Sequence, residues 1–492
     1  MGKVLRTAYA TYPTVKLQGY KKDAKTGEKK WGFLKELLFG DYMRPYISKD
    51  GEYEKLKVGS KVYVKVRCRN CDGYLLESEM QEERPLEVNF VDVGQGDGCH
   101  IVTPDDKHFI IDAGEGDNMY RFLKWRFNLK TAKVSPPPFT IVMSHPDADH
   151  YAGFGKIFSL TKGTSQQFKI EKVYHNGIVG VPGSGVYALG KVIDTPDGRY
   201  VTDLVDNNAD FEACVKKGGN GNFLKLLKKT DATQESLHLG SEPIYKSDLM
   251  SMDIMGPVGK EIDGKVALPV FGSSVGKTKN GNSIVIKLTI GHLRLLLGGD
   301  LNTEAEYHLI HHYSGIDIEA LLKELNKKLT DEKRKATEAK IQEAILLARK
   351  ALEVDIAKSC HHGSADFSSE FLDVLNPIVT VISSGDEEPH THPRPDTLGT
   401  IGKHSRGVRS LIFSTELARS GKEFVELDKI KDTAKKKERA VTVYGMINVR
   451  TDGNKVIIAQ KLEKAAAGRN WDVHKLEWND KTQEFEYICK FE

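Results

Sequence analysis

Short, wholly apolar runs that stop abruptly at polar, titratable residues recur along this chain. "FTIVM" (139–143) runs straight into "SHPDADHYAG" (144–153). "HFIIDAG" (108–114) closes on Asp112, "LRLLLGGDL" (293–301) on Gly298-Gly299-Asp300, and "DIAKSCHHGSADFSS" (355–369) leads into His361-His362-Gly363-Ser364. "TVISSG" (380–385) precedes "PHTHPRPD" (389–396). Brief uninterrupted apolarity bounded by turn residues reads as a strand buried on both faces. Five strand ends thus carry Asp or His, a regularity that scattered core histidines would not show.

Other stretches have other periods. "VGSKVYVKVRCRNCDGYLLESEM" (58–80) alternates apolar and polar residues and predicts short strands. "NMYRFLKWRFN" (118–128) predicts a helix, and "SPPP" (135–138) breaks the chain before "FTIVM". Strand pairs then alternate with helices to about residue 414, which predicts an α/β sandwich, not a doubly wound parallel sheet, because consecutive strands come as hairpins. Residues 1–84 read as a small β-rich module, SH3-like or a barrel, with "QEERP" (81–85) as the junction. Residues 85–492 read as one larger domain. Within it, 178–250 is Gly- and Asp-rich and predicts loops with a few helices, and 317–352 predicts one long charged helix or a helical hairpin, solvated on its outer side. "TVYGMINVRTDGNKVIIAQKLE" (442–463) predicts two strands around the Asp452-Gly453 turn.

Composition narrows the class. A formal net charge of +3 over 492 residues supplies no global field to select an anionic partner. The charge is uneven, however: 1–84 holds 18 Lys and Arg against 12 Asp and Glu. No run is long enough to span a membrane, "MGKVLRTAYA" lacks a signal-peptide core, and Arg6 breaks the myristoylation pattern. Six scattered cysteines do not make a disulfide scaffold, so the expected compartment is the cytosol. Three motifs are decoys. "GQGDG" (94–98) is followed by strand-like "CHIVTP", leaving a phosphate no helix N-terminus. "GSSVGKT" (272–278) is one residue short of a P-loop. Cys68 and Cys71 of "CRNC" have no second pair to complete a zinc site.

The strand-end residues carry chemistry together. Four candidate ligands at His145, Asp147, Asp149 and His150 would crowd one cation but suit two that lie about 3.5–4 Å apart. An Asp-rich solvated turn is the plain alternative for "PDAD" taken alone; the other strand ends favour metal.

The motif order "FVDVGQGDG…FIIDAG", "SHPDADHYAG", "NGNSIVIKLTIGHLRLLLGGD", "HHGSADFSSEFL…NPIVTVISSG" and "HTHPRPDTL" resembles the metallo-β-lactamase superfamily. It is most similar to the soluble hydrolase domain of ComEC-type DNA-uptake proteins and its free-standing relatives, over roughly 90–415. The resemblance implies an αββα sandwich with a two-metal site along one edge. It implies that His145 and Asp147 serve the first metal, Asp149 and His150 the second, and Asp300 both. One of the "HHGS" histidines is implied as the late ligand, His361 being taken for it. Asp112, Asn282 and Ser364 are implied as residues that support or line the site. His392 matches a histidine of the terminal "GHP" motif, with Thr391 in place of its glycine. Asp149 and either His392 or His362 are the implied catalytic residues, a histidine protonating the leaving alkoxide. A donor set rich in carboxylates admits Mn²⁺ beside Zn²⁺.

The leading expectation is a metal-dependent phosphodiesterase, most simply a nuclease, whose N-terminal module contacts nucleic acid or a protein partner. A hydrolase of small esters, lactones or lipid-headgroup phosphodiesters is the alternative, and a non-catalytic binding protein a further one.

Overall fold

The computed structural model describes residues 4–22, 26–69, 71–129, 135–159, 167–219, 221–272, 274–385, 391–415, 446–466 and 469–488. The "TVYG" that opens the tail motif, and Pro389-His390, lie outside them. The chain divides into two compact units, one of 1–89, 101–107 and 447–492, the other of 90–100 and 108–446. Among the described residues no helix is long and apolar enough to cross a membrane.

In the first unit the N-terminal strands pair in the order Lys29–Leu38, Thr14–Lys22, Cys71–Leu76, Lys61–Cys68, Tyr42–Pro45, Ala8–Ala10, Met80–Gln81, with Lys55–Val58 beside Lys61–Cys68. Alternation sends Val15, Leu17, Val64, Val66 and Leu75 into one core. Cys68 and Cys71 are free thiols paired across the end of a hairpin.

Residues 447–492, expected to continue the larger domain, cluster instead with the N-terminal strands. Ile447–Thr451, Lys455–Ala466, Arg469–Asn479 and Glu484–Ile488 form an antiparallel meander, the first pair turning at Asp452-Gly453. Leu38 and Phe39 pack on Ile457 and Ala459. The buried Arg450 guanidinium donates to Asp41 Oδ1 at 2.8 Å and to the Phe39 carbonyl at 2.9 Å. A buried guanidinium needs such partners, so the tail is committed to this unit.

The second unit is mixed α/β. His108–Ala113, Phe139–Val142, Ile170–His175 and Thr233–Ser236 pair in parallel. Thr233–Ser236 lies in the stretch expected to be loops and helices; its four residues are too few to show a period. A second sheet runs Tyr245–Lys246, Met250–Gly256, Val285–Ile290, Leu293–Leu297, Ile356–Lys358, Val379–Ile382, Leu411–Ser414. Phe109 meets Tyr245 edge-on at 5.7 Å, and Ile111, Ile284 and Leu297 share a cavity of about 20 Å³, so the inner faces of the two sheets meet.

Helices cover the outer faces. Phe127, following Asn118–Arg126, meets Phe139 at 5.8 Å. On the other side Leu309, Ile345, Ala348 and Phe371 pack on Val285, Leu296 and Ala357. The charged stretch 317–352 is a hairpin of Ile318–Leu325 and Asp331–Leu352 whose apolar side joins this cluster. "GSSVGKT" leads into the short helix Val275–Gly281, and its Lys277 is held by Glu304 at 2.9 Å.

Candidate metal centre

The strand ends of the second unit converge. Ser144–His150 follows Phe139–Val142, Asp112 ends its neighbour, Asp300 follows Leu293–Leu297, and His361 and His362 follow Ile356–Lys358. Close approach needs special backbone. Gly96 has φ +99°, and a Cβ there would overlap the Asp149 carbonyl. Asp112, His361, His362 and Thr391 adopt positive φ of +57°, +49°, +54° and +57°. Such clustering of strained backbone is characteristic of functional sites.

Asp112 organises the "SHPDADH" loop. Its Oδ1 accepts the Ser144 amide at 2.8 Å. Its Oδ2 accepts the Ser144 hydroxyl at 2.6 Å and His150 Nδ1 at 2.8 Å. With its proton given to Asp112, Ser144 Oγ accepts His145 Nδ1 at 3.0 Å; Ser283 Oγ stands 3.2 Å from the same nitrogen. One carboxylate therefore fixes the tautomer of His150 directly and of His145 through a serine. Both Nε2 lone pairs point away from it.

His362 is held the same way, its Nδ1 donating to the Ser383 carbonyl at 3.0 Å with Asp97 Oδ1 at 3.1 Å. Its Nε2 lies 3.3 Å from His150 Nε2, 3.1 Å from Asp300 Oδ2 and 3.6 Å from Asp149 Oδ2. His150 Nε2 lies 3.2 Å from the same Asp300 oxygen. Two imidazole nitrogens and a carboxylate oxygen thus form a triangle of 3.1–3.3 Å edges. Ligands about 2.0–2.1 Å from a tetrahedral cation stand about 3.3–3.4 Å apart, so the triangle is the face a metal would occupy. His145 Nε2 and Asp300 Oδ1 are buried without a hydrogen-bond partner, and a cation would satisfy them. The residues present fit a divalent ion.

Asp97, His150, Asp300 and His362 offer ligand atoms that all lie within 4.8 Å of one another. Asp97, however, sits on the Nδ1 side of both rings, 3.1 Å from His362 and 4.0 Å from His150. It lines the small cavity of about 20 Å³, whereas Asp147, Asp149, Asp300, His361 and His362 line a larger one of about 550 Å³. Asp97 therefore backs the histidines, and its carboxylate contacts the buried Lys358 ammonium. Lys358 also donates to the Gly299 carbonyl at 3.0 Å and lies 3.8 Å from Asp300 Oδ1.

The electrostatics follow from this packing. Burial alone would lower His362, but the Asp300 and Asp97 carboxylates push it up to about 10. Burial is likewise outweighed at His150, which Asp300 and Asp112 raise well above its ordinary value. Burial, and then the neighbouring His150, press His145 down to about 4. Asp300 is held well below the carboxylate range by His150 and His362 against its burial.

The other expected residues are spread around the cavity. Asp147 lies 3.8 Å from His145 Nε2, and its Oδ1 accepts Lys279 Nζ at 2.8 Å. His361, Ser364 and His392 stand on the wall with Arg394, the His361 and His392 rings 6.0 Å apart. Geometry thus puts His362 at the convergence point and His361 on the wall, the reverse of the roles expected for them. The Asn282 amide donates to the Pro269 and Thr278 carbonyls at 2.8 Å each and is absent from the cavity wall. Asp97, Ser144, Lys279 and Lys358 went unassigned in the sequence. Asp97 had a signal, since it lies between glycines after a buried run, in the "GQGDG" dismissed as a nucleotide loop.

No family model and no curated protein matches the chain. Among solved structures it is similar to a metal-dependent hydrolase of the β-lactamase superfamily, 11% identical, covering 67% of this chain and 95% of that one at a TM-score of 0.30. It is also similar to a Parabacteroides distasonis protein assigned as a metal-dependent hydrolase, 11% identical, covering 73% and 99% at a TM-score of 0.27.

Proposed function

We propose that the chain is a metal-dependent hydrolase of the metallo-β-lactamase type that cleaves phosphodiesters, with nucleic acid as its substrate. The observation that carries the hydrolase reading is the triangle of His150 Nε2, His362 Nε2 and Asp300 Oδ2, of which His362 and Asp300 line a cavity of about 550 Å³. His150, His362, Asp300 and Asp149 would hold one ion and His145, Asp147 and Asp300 the second. Bound there, two divalent ions such as Zn²⁺ or Mn²⁺ supply an activated water and neutralise charge growing on the reacting group.

The chain's own residues do the rest. Asp112, Ser144 and Asp97 hold the Nδ1 sides of His150, His145 and His362, leaving the Nε2 atoms for a metal. Lys358 offsets one of the clustered carboxylates. On the wall, Arg394 attracts an anionic substrate, which favours a phosphodiester over a neutral ester or lactone. His392 or His361 gives a proton to the leaving alkoxide.

The test is hydrolysis of bis-nitrophenyl phosphate, single- and double-stranded DNA, RNA, a lactone and a headgroup ester by metal-loaded protein. Cleavage of bis-nitrophenyl phosphate and a nucleic acid is expected. Hydrolysis of the lactone or headgroup ester alone would replace the nuclease reading, and inertness toward every substrate would leave a binding protein.

A further inference from the structure

The solvent face of the N-terminal sheet gathers aromatic rings that lie far apart in sequence. Tyr20 pairs across strands with Trp31, Gln18 with Phe33 and with Tyr74, and Tyr74 with Lys65, two residues from Tyr63. These positions share one face, because partners directly opposite in a sheet point the same way. Trp31 lies across Gln18, its Nε1 donating to Oε1 at 2.9 Å. It meets Tyr20 at 5.2 Å, Tyr63 at 5.3 Å and Tyr74 at 5.5 Å. The other face is the one that carries Leu17, Val64, Val66 and Leu75 into the core, so the rings are not needed to close it. Tyr20 is 53% exposed, and Trp31, Phe33 and Tyr74 are half-buried.

Cations rim the rings. Lys22 and Lys29 face each other at one end, Lys16 lies on the strand of Tyr20, and Lys61 occupies a same-face position on the strand of Tyr63; all four are exposed. Of the acids near this face, Asp72 pairs with Arg67 and Glu54 with Lys65, and Glu36 stands directly across from Lys16. A wet aromatic cluster edged with positive charge matches an unpaired base on a phosphate backbone.

We infer that the Tyr20–Trp31–Tyr74 face binds single-stranded nucleic acid, bases stacking on Trp31 and Tyr20 while the surrounding lysines contact phosphates. This deepens, and rests on, the nucleic-acid reading given above.

The test uses the full chain in chelator, so that nothing is cleaved, with a fluorescein-labelled thymidine 20-mer read by anisotropy. Wild type should bind with an affinity that falls with salt, each phosphate contact adding about 0.7 to the log–log slope. Tyr20→Ala and Trp31→Ala should each weaken binding by about tenfold or more, Trp31→Phe should retain most of it, and Lys22→Ala should flatten the slope. Metal-loaded variants should hydrolyse bis-nitrophenyl phosphate as wild type does. Unchanged binding in both Tyr20→Ala and Trp31→Ala, equal affinity for a duplex, or no binding by wild type overturns the inference, even if the small phosphodiester is hydrolysed. Ring-dependent binding in a protein that hydrolyses nothing would instead overturn the hydrolase reading and leave this one standing.

Discussion

Asp112 Oδ2 accepts His150 Nδ1 at 2.8 Å, and through Ser144 the same carboxylate sets the proton on His145. The residue is fully buried and left-handed at φ +57°. Asparagine tolerates that conformation, so Asp112→Asn should fold. It loses the charge that holds His150 in the Nδ1–H tautomer. Divalent-ion affinity should fall about 10–100-fold, measured by competition with a chromophoric chelator, with circular dichroism unchanged.

A second buried acid sits apart from the centre. Glu306 accepts the Ser368 amide at 2.6 Å, and burial pushes its carboxyl up to about 8 from an ordinary 4.5. As pH rises between those values the unfolded chain loses this proton before the folded one does. The neutral form therefore stabilises the fold below about pH 4.5, and that contribution drains away up to about pH 8. Urea midpoints taken from pH 5 to 8 should fall for wild type, and the Glu306→Gln variant should lack this component of the fall.

Much of the site was legible because its residues sit at the ends of apolar runs. His145, Asp147, Asp149, His150, Asp300 and the His361-His362 pair could be placed on loops from the pattern alone. What a linear pattern cannot carry is direction. His361 and His362 are adjacent and both left-handed, and which ring turns inward is decided by the Ser383 carbonyl and Asp97, 21 and 265 positions from His362. The N-terminal rings escaped for a similar reason. Tyr20, Trp31, Tyr63 and Tyr74 form no dense stripe in sequence and meet only because Thr14–Lys22 lies between Lys29–Leu38 and Cys71–Leu76. Likewise, nothing local marks 447–492 as belonging with the N-terminal strands; that follows from Arg450 finding Asp41.

The central claim is that His150, His362 and Asp300 hold a divalent cation. Elemental analysis after reconstitution with Mn²⁺ or Zn²⁺ and dialysis tests it most directly, on wild type, His362→Ala and His361→Ala side by side. About two ions per chain are predicted for wild type and for His361→Ala, and about one or fewer for His362→Ala. Less than one ion in reconstituted wild type, or a larger loss in His361→Ala than in His362→Ala, would contradict the account.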